Sequence, residues 1–210
     1  RGYRFTREYV FEPQLNPGLA AVRQDLGDLA KERLLVMYGR PGVARNAFEL
    51  VCQGVREWSL RDPHASAWRI ESLGELHQDV ILPNGGRIIS RGKLTLEQYA
   101  QTLLRAGAGI SLMLSPHPSY PPLEMAEFGV RVLTNRHENK DLSTRSEFID
   151  SLDTITPEAI ADALERLTAP WRQSAQVPVT LPTASLFAPQ GAAFPFVPAV
   201  RGAIGFPPAS

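Results

Sequence analysis

Two arginines five residues apart, Arg40 and Arg45, sit in a glycine-bearing turn of the stretch Leu34-Leu-Val-Met-Tyr-Gly-Arg-Pro-Gly-Val-Ala-Arg-Asn-Ala-Phe-Glu-Leu50. An arginine can donate two hydrogen bonds to one phosphate, so two fixed arginines suit a diphosphate. Gly39 and Gly42 let the backbone turn sharply and approach a ligand closely. Leu34 to Tyr38 is an apolar run of strand length. Asn46 has the chemistry of a helix cap, and Phe48, Val51, Cys52 and Val55 then recur at helical spacing. A strand–turn–helix unit of this kind aims the helix N-terminus and the N–H groups of its turn at whatever binds there, which favours an anion. A surface loop with two solvated arginines fits the same residues; a short motif gains weight only in its structural context.

The bulk properties narrow the classes. The chain has 210 residues, one ordinary domain plus extras or two small ones. Its 22 Lys+Arg balance 22 Asp+Glu, so no broad basic field argues for a nucleic-acid partner. Cys52 is the one cysteine, expected as a small buried hydrophobe on a helix face. A single cysteine excludes an internal disulfide and a Cys-x-x-Cys metal site, and suits a reducing compartment. His64, His77 and His137 are scattered without ligand spacing, so no protein-bound metal is expected. No apolar run is long enough to span a bilayer, and no transmembrane segment is expected. Gly-x-Ser-x-Gly, Walker and dinucleotide fingerprints are absent, which leaves hydrolase, NTPase and NAD readings without residues. No cofactor is expected.

The elements that must position the arginines follow in order. Residues 1–32 read as a connector and a helix. Phe11-Glu-Pro-Gln-Leu-Asn-Pro-Gly18 breaks regular structure, Tyr9 to Phe11 fits one short strand, and Leu19 to Lys31 fits a weakly amphipathic helix. The second strand is expected in Trp68-Arg-Ile-Glu-Ser-Leu73, closed by Gly74. Asp79 to Leu82 and Arg87 to Ser90 flank the turn Pro83-Asn-Gly-Gly86 as a short ribbon. Thr95 with Gln98 makes a capping box for a helix whose apolar face is Leu96, Tyr99 and Leu103, ended by Gly107 to Gly109. Ile110-Ser-Leu-Met-Leu114 and Val130-Arg-Val-Leu-Thr134 are the next strands, with a short helix from Leu123 to Phe128 between them. Phe148-Ile-Asp-Ser-Leu152 is expected as an edge strand. Thr156-Pro-Glu158 starts a helix that turns Ile160, Ala163, Leu164 and Leu167 inward.

Strands alternating with helices imply an α/β fold: a Rossmann-like parallel sheet with helices on both faces, spanning residues 33–168. Ligands of such sheets sit at the carboxyl ends of the strands, so the loops after Tyr38, Leu73, Ser90, Leu114 and Thr134 are the ones that matter. Residues 169–210 are proline-rich and nearly uncharged, and read as an extended tail, with Phe187, Phe194, Phe196 and Phe206 as its apolar content.

Taken together, these loops resemble the donor-binding, C-terminal half of a GT-B glycosyltransferase, in particular the rhamnosyltransferases of the WsaF type. The pieces that carry the resemblance are Gly39-Arg40 with Arg45, then Gly74, then Gly92-Lys93-Leu94, then Leu114-Ser-Pro-His-Pro-Ser-Tyr-Pro-Pro-Leu-Glu-Met-Ala-Glu-Phe-Gly-Val130. Together they cover roughly Phe11 to Leu167. The resemblance implies a glycosyltransferase that binds a nucleotide-sugar (dTDP-, UDP- or GDP-linked, with dTDP-L-rhamnose expected) for transfer to a surface polysaccharide or glycan. It implies Arg40 and Arg45 as the catalytic cations on the donor diphosphate. Gly39 belongs to the same turn. Gly92, Lys93 and Leu94 match the loop that holds the base, and Glu124 matches the glutamate that accepts from the ribose hydroxyls. A capping glutamate in the first turn of a short helix is the other reading of Glu124.

One departure stands out. The family usually has a second glutamate eight positions before the one at Glu124, in contact with the sugar; here that position is Pro116. The glycine-rich approach to the sugar is replaced by Pro118-Ser-Tyr-Pro-Pro122, and prolines offer no N–H. His117, Ser119 and Tyr120 are the candidates for sugar contacts in its place, although His117 also reads as a loop histidine with no ligand. A proline-fixed, partly apolar turn suits a deoxysugar with a methyl group. The glycan acceptor and any enzymic base are expected in an upstream half that precedes this sequence, and the protein in the cytoplasm or peripheral at the inner face of the membrane. The alternative function is a non-catalytic sugar-nucleotide or phosphate-binding module of the same fold.

Overall fold

The computed structural model describes residues 15–23, 30–117, 119–183, 185, 187 and 196–205. The chain runs α1 (Pro17–Arg23), β1 (Ala30–Gly39), α2 (Phe48–Arg61), β2 (Arg69–Gly74), β3 (Val80–Ile81), β4 (Arg87–Gly92), α3 (Leu96–Arg105) and β5 (Ala106–Ile110). It continues through α4 (Tyr120–Glu127), β6 (Arg131–Asn135), β7 (Ile149–Leu152), α5 (Pro157–Thr168), β8 (Gln176–Pro178) and α6 (Val197–Ala203). The sheet order is β3-β4-β2-β1-β5-β6-β7, with β8 paired to β1. The pairs β4–β2, β2–β1, β1–β5, β5–β6 and β6–β7 are parallel. Only the short β3 and β8 run antiparallel to their partners. The strands expected at Leu34–Tyr38, Trp68–Leu73 and Val130–Thr134 lie in this one parallel sheet, and β7 is the expected edge.

Alternation along β1 sorts the core into two layers. Leu35 and Met37 face one way with Ile70, Ile88 and Leu133, beneath Val51, Val55 and Trp58 of α2 and Ile160 and Leu164 of α5. Leu34 and Val36 face the other way with Leu73 and Val132, beneath Leu19 of α1, Leu103 of α3 and Met125 of α4. Leu34 to Met37 are all fully buried, which explains an unbroken apolar run where a one-sided strand would alternate. The capping box is present at Thr95 and Gln98, and the Thr156 side chain accepts from the Ala159 N–H at the start of α5. Cys52 is buried, and burial pushes its thiol up to about 12.

Several expectations are corrected. The strand placed at Ile110–Leu114 lies four residues earlier, at Ala106–Ile110, so Gly107 and Gly109 are mid-strand rather than a helix end. Apolar bulk misleads there because neighbouring groups press on the strand. A Cβ on Gly107 would lie 2.6 Å from the Glu32 carbonyl and from the Trp171 ring, and one on Gly109 would lie 2.7 Å from Met125 Sδ. Of the helix placed at Leu19–Lys31, the described part is Leu19 to Arg23, within α1, where Arg23 forms an ion pair with the buried Glu127 of α4; Lys31 belongs to β1 instead. Leu96 is 42% exposed; Ala100 and Leu104 join Leu103 on the buried face of α3 instead. The tail carries regular structure in β8 and α6, and Trp171 ahead of them is buried, its Nε1–H donating to the Lys31 carbonyl at 3.2 Å. The strand expected at Tyr9–Phe11 lies outside the described residues.

Lys31 is 2% exposed, and its Nζ donates to the Leu103 carbonyl at 2.8 Å. Desolvation lowers its pKa from 10.5 to about 7. The unfolded chain therefore binds more protons than the folded one above about pH 7, and stability rises with pH through that window. Urea unfolding should show a midpoint that climbs from about pH 7 to about pH 8, before ionisation of an unfolded Cys52 begins to oppose the climb. Lys31→Met should lose most of that climb; an equal slope in both proteins would show that Lys31 is hydrated.

Candidate functional site

The carboxyl ends of β1, β2, β4 and β5 open on a cleft of about 660 Å³. Eight of the ten expected site residues line it: Arg40, Arg45, Lys93, Leu94, His117, Ser119, Tyr120 and Glu124. Gly39 and Gly92 do not. Gly39 ends β1 where a Cβ would lie 1.9 Å from Ser72 Oγ, so its glycine serves strand packing. Gly92 ends β4 with φ +62, a backbone that favours glycine, and so turns the chain into Lys93 and Leu94.

The arginine turn differs in detail from its sequence reading. Ala44–Asn46 is a 3-10 turn, and α2 is entered through Ala47 at φ 49 rather than capped by Asn46. Asn46 is 1% exposed, and its Nδ2 donates to the Leu112 carbonyl at 3.3 Å. The Gly42 N–H does not point at an open anion site; it donates to Glu75 Oε2 at 3.2 Å. The Glu75 N–H in turn donates to the Gly39 carbonyl at 3.0 Å. A carboxylate of the chain thus already occupies part of the turn. The anion-binding capacity that remains rests on the arginine side chains. Arg40 is half-buried, its stem 3.1 Å from where a Cβ on Gly74 would stand, and Arg45 is exposed. Among the described residues neither guanidinium forms an ion pair.

At the other side of the cleft, the Tyr99 hydroxyl donates to Glu124 Oε2 at 3.1 Å. Burial raises the Glu124 pKa, opposed by this bond. Burial also holds Tyr99 well above the ordinary phenol value, with the Glu124 charge adding to it. Glu124 Oε1 has no partner among the described residues, and no backbone N–H is bonded to the carboxylate, so it does not act as a helix cap.

The segment of residues 111–117 and Ser119 borders the cleft between the two sides. Ser119 stands at the N-cap of α4 yet makes no capping bond; it is 1% exposed and its buried Oγ has no partner among the described residues. An orphaned buried hydroxyl is costly unless something meets it, and this one borders the cleft. His117 is exposed, with its ring 6.4 Å from that of Tyr120. Tyr38, Tyr99 and Met113 also line the cleft and were not singled out from sequence. The available signal was the tyrosine hydroxyl itself: Tyr38 closes a strand at its carboxyl end, and Tyr99 is an amphipathic residue on a face read as purely apolar. Among the described residues no three His, Cys, Asp or Glu side chains gather to hold a metal.

Two arginines, a carboxylate with one open oxygen, an unpartnered hydroxyl and aromatic walls suit an elongated ligand with an anionic centre and hydroxyls at its ends. Residues 33–165 match the family model described as "WsaF, C-terminal domain". The O-antigen biosynthesis protein RfbC of Myxococcus xanthus is 32% identical over 139 residues, which cover 66% of this chain and 10% of RfbC. The crystal structure of WaaG, a glycosyltransferase involved in lipopolysaccharide biosynthesis, superposes with a TM-score of 0.57 at 14% identity, over 78% of this chain and 48% of WaaG. The chain thus spans about a tenth of RfbC and about half of WaaG. At that identity the WaaG match speaks for the fold, the Rossmann-like half of the GT-B type. With most of its sheet and both core layers inside the matched span, the chain belongs to the family of the WsaF C-terminal domain.

Proposed function

We propose that this chain is the donor-binding half of a glycosyltransferase, holding a nucleotide-sugar for transfer to a surface polysaccharide or glycan. The acceptor would be held by a second, upstream half. The observation that carries this reading is the pair Arg40 and Arg45, without ion pairs among the described residues, in one cleft with the open oxygen of Glu124. As the bond from sugar to diphosphate breaks, negative charge grows on the leaving diphosphate. Fixed cations there stabilise the transition state more than the ground state. In this reading Arg40 and Arg45 hold the diphosphate, Lys93 and Leu94 border the base, Glu124 accepts from the ribose, and His117, Ser119 and Tyr120 face the sugar. The names of RfbC and WaaG, both tied to building polysaccharide on the cell surface, support the assignment.

A dTDP-linked donor, dTDP-L-rhamnose in particular, fits best. Tyr99 already occupies one Glu124 oxygen, which leaves one for a ligand hydroxyl, and a 2′-deoxyribose offers one where a ribose offers two. Met113 and Pro121 give the sugar side an apolar component suited to a methyl-bearing sugar. The site of action would be cytoplasmic, or peripheral at the inner face of the membrane; no described helix is long and apolar enough to cross a membrane.

Calorimetric titration with dTDP-, UDP- and GDP-sugars tests the proposal, and binding of none of them would end it. Arg40→Ala and Arg45→Ala should each weaken the donor by about 1.5–3 kcal/mol, the worth of a hydrogen bond to a charged group, and barely touch the free nucleoside. Glu124 accepts from a hydroxyl more strongly when ionised, so nucleotide affinity should fall as the pH drops through its raised pKa. Tyr99→Phe removes a bond that favours the ionised form and should move that fall to higher pH, whereas Glu124→Gln should flatten it. Ser119→Ala should weaken only the sugar conjugate, by about 0.5–1.5 kcal/mol, and leave the nucleoside diphosphate alone.

A further inference from the structure

The turn after β6 is built around a residue in an unfavourable conformation. His137 and Lys140 exchange backbone hydrogen bonds of 3.0 and 2.9 Å, and between them Glu138 is held at φ 52, where a side chain is disfavoured. This turn aims the Lys140 side chain back at the cleft wall. Its Nζ donates to the Met113 carbonyl at 2.9 Å and to the Ser115 carbonyl at 2.8 Å. Burial lowers its pKa, and among the described residues it has no carboxylate partner. This lysine gives up part of its hydration for two carbonyl acceptors, and so fixes the segment that carries them.

The geometry it imposes reaches the site. The Met113–Leu114 peptide is held from both ends. Its carbonyl accepts from Lys140 and, at 3.3 Å, from Asn135 Nδ2; its N–H donates to the Arg45 carbonyl at 2.7 Å. Asn135, fully buried at the end of β6, also accepts the Met113 N–H at 2.7 Å. A continuous path therefore joins Lys140 to the backbone of Arg45 on one side and to the wall that carries His117 and Ser119 on the other. Lys93, Leu94, Tyr99 and Glu124 lie outside it.

We propose that Lys140 is a positioning residue: through the Met113–Leu114 peptide it sets the diphosphate-sugar side of the cleft without touching the ligand. The proposal rests on reading the cleft as a nucleotide-sugar site, but its mechanical part can be measured without ligand. Lys140→Met should raise the hydrogen-exchange rate of the Leu114 amide by about tenfold or more, because the Met113 carbonyl then keeps only its longer bond from Asn135 Nδ2 at 3.3 Å and the peptide opens more often. It should weaken the nucleotide-sugar about fivefold or more in calorimetry, while thymidine, followed by ligand-observed NMR, changes less than about twofold. If Lys140→Met does not fold, Lys140→Gln keeps a donor for one of the two carbonyls, and the same split is expected with smaller changes. Unchanged Leu114 exchange overturns the proposal, as does an equal loss for nucleotide-sugar and thymidine, which would mark Lys140 as a general stabiliser. Should the wild-type chain bind no nucleotide-sugar, the reading of the cleft falls, and the exchange rate alone still decides whether the clamp exists.

Discussion

Parallel pairing is the constraint from which the site follows. Strands β4, β2, β1, β5 and β6 all point one way, so their carboxyl ends share one edge and every outgoing loop begins there. Parallel strands need crossovers, and the crossovers bury both faces. That is why Leu34 to Met37 are apolar without alternation and why α2 and α5 lie on one face and α3 and α4 on the other. With both faces occupied by core, a polar ligand is left the edge. The residues gathered there come from far apart in the chain, from Tyr38 to Glu124, because the sheet order interleaves distant strands.

Much of this was legible in the sequence, and its limits have physical causes. Strands with bulky apolar runs, such as the one ending at Tyr38, could be read because burial on both faces demands them. β5 could not be, because its neighbours leave no room for side chains: Trp171 and Met125 fill the space that Gly107 and Gly109 leave open. The apolar residues just after it, Leu112 and Met113, then supplied a false strand signal; they are buried too, but as a loop wall. The eight cleft residues were legible through the resemblance, which is anchored in order and spacing. The hydrogen bonds that tune them were not. Neither Glu75 on the Gly42 N–H nor Tyr99 on Glu124 is local in sequence, and each depends on side-chain directions that only the packed fold sets.

The Glu75 bond changes how the arginine turn should be understood. In a turn of this shape the free N–H groups would ordinarily meet the ligand's charge. Here the Gly42 N–H meets an internal carboxylate, whose own backbone N–H closes the loop onto Gly39. The bonds hold the turn in place, so that Arg40 leaves β1 in a defined direction. They also place a negative charge near the proposed diphosphate site, which weakens attraction of an anion to the turn itself. The burden of charge recognition therefore shifts to guanidinium groups, whose planar donors keep their geometry and whose charge persists at every relevant pH.

Strain and unmet polar groups are concentrated at this same edge. Ala47 and Glu138, the described non-glycine residues with positive φ, lie respectively just after the Arg45 turn and in the turn that carries Lys140. Among the described residues, Ser119 Oγ and Ser115 Oγ are buried without partners in the wall between them. Residues held in such conformations cost about 1–3 kcal/mol each, and a buried orphan hydroxyl costs a similar amount. The sheet supplies the surplus: its central strands are buried on both sides and tied on both edges, so local losses at the loops do not threaten the fold. The direction of the imbalance is informative. Groups that the protein leaves unsatisfied are groups a ligand can satisfy without first breaking anything, so the free energy gained on meeting them goes to binding rather than to rearrangement.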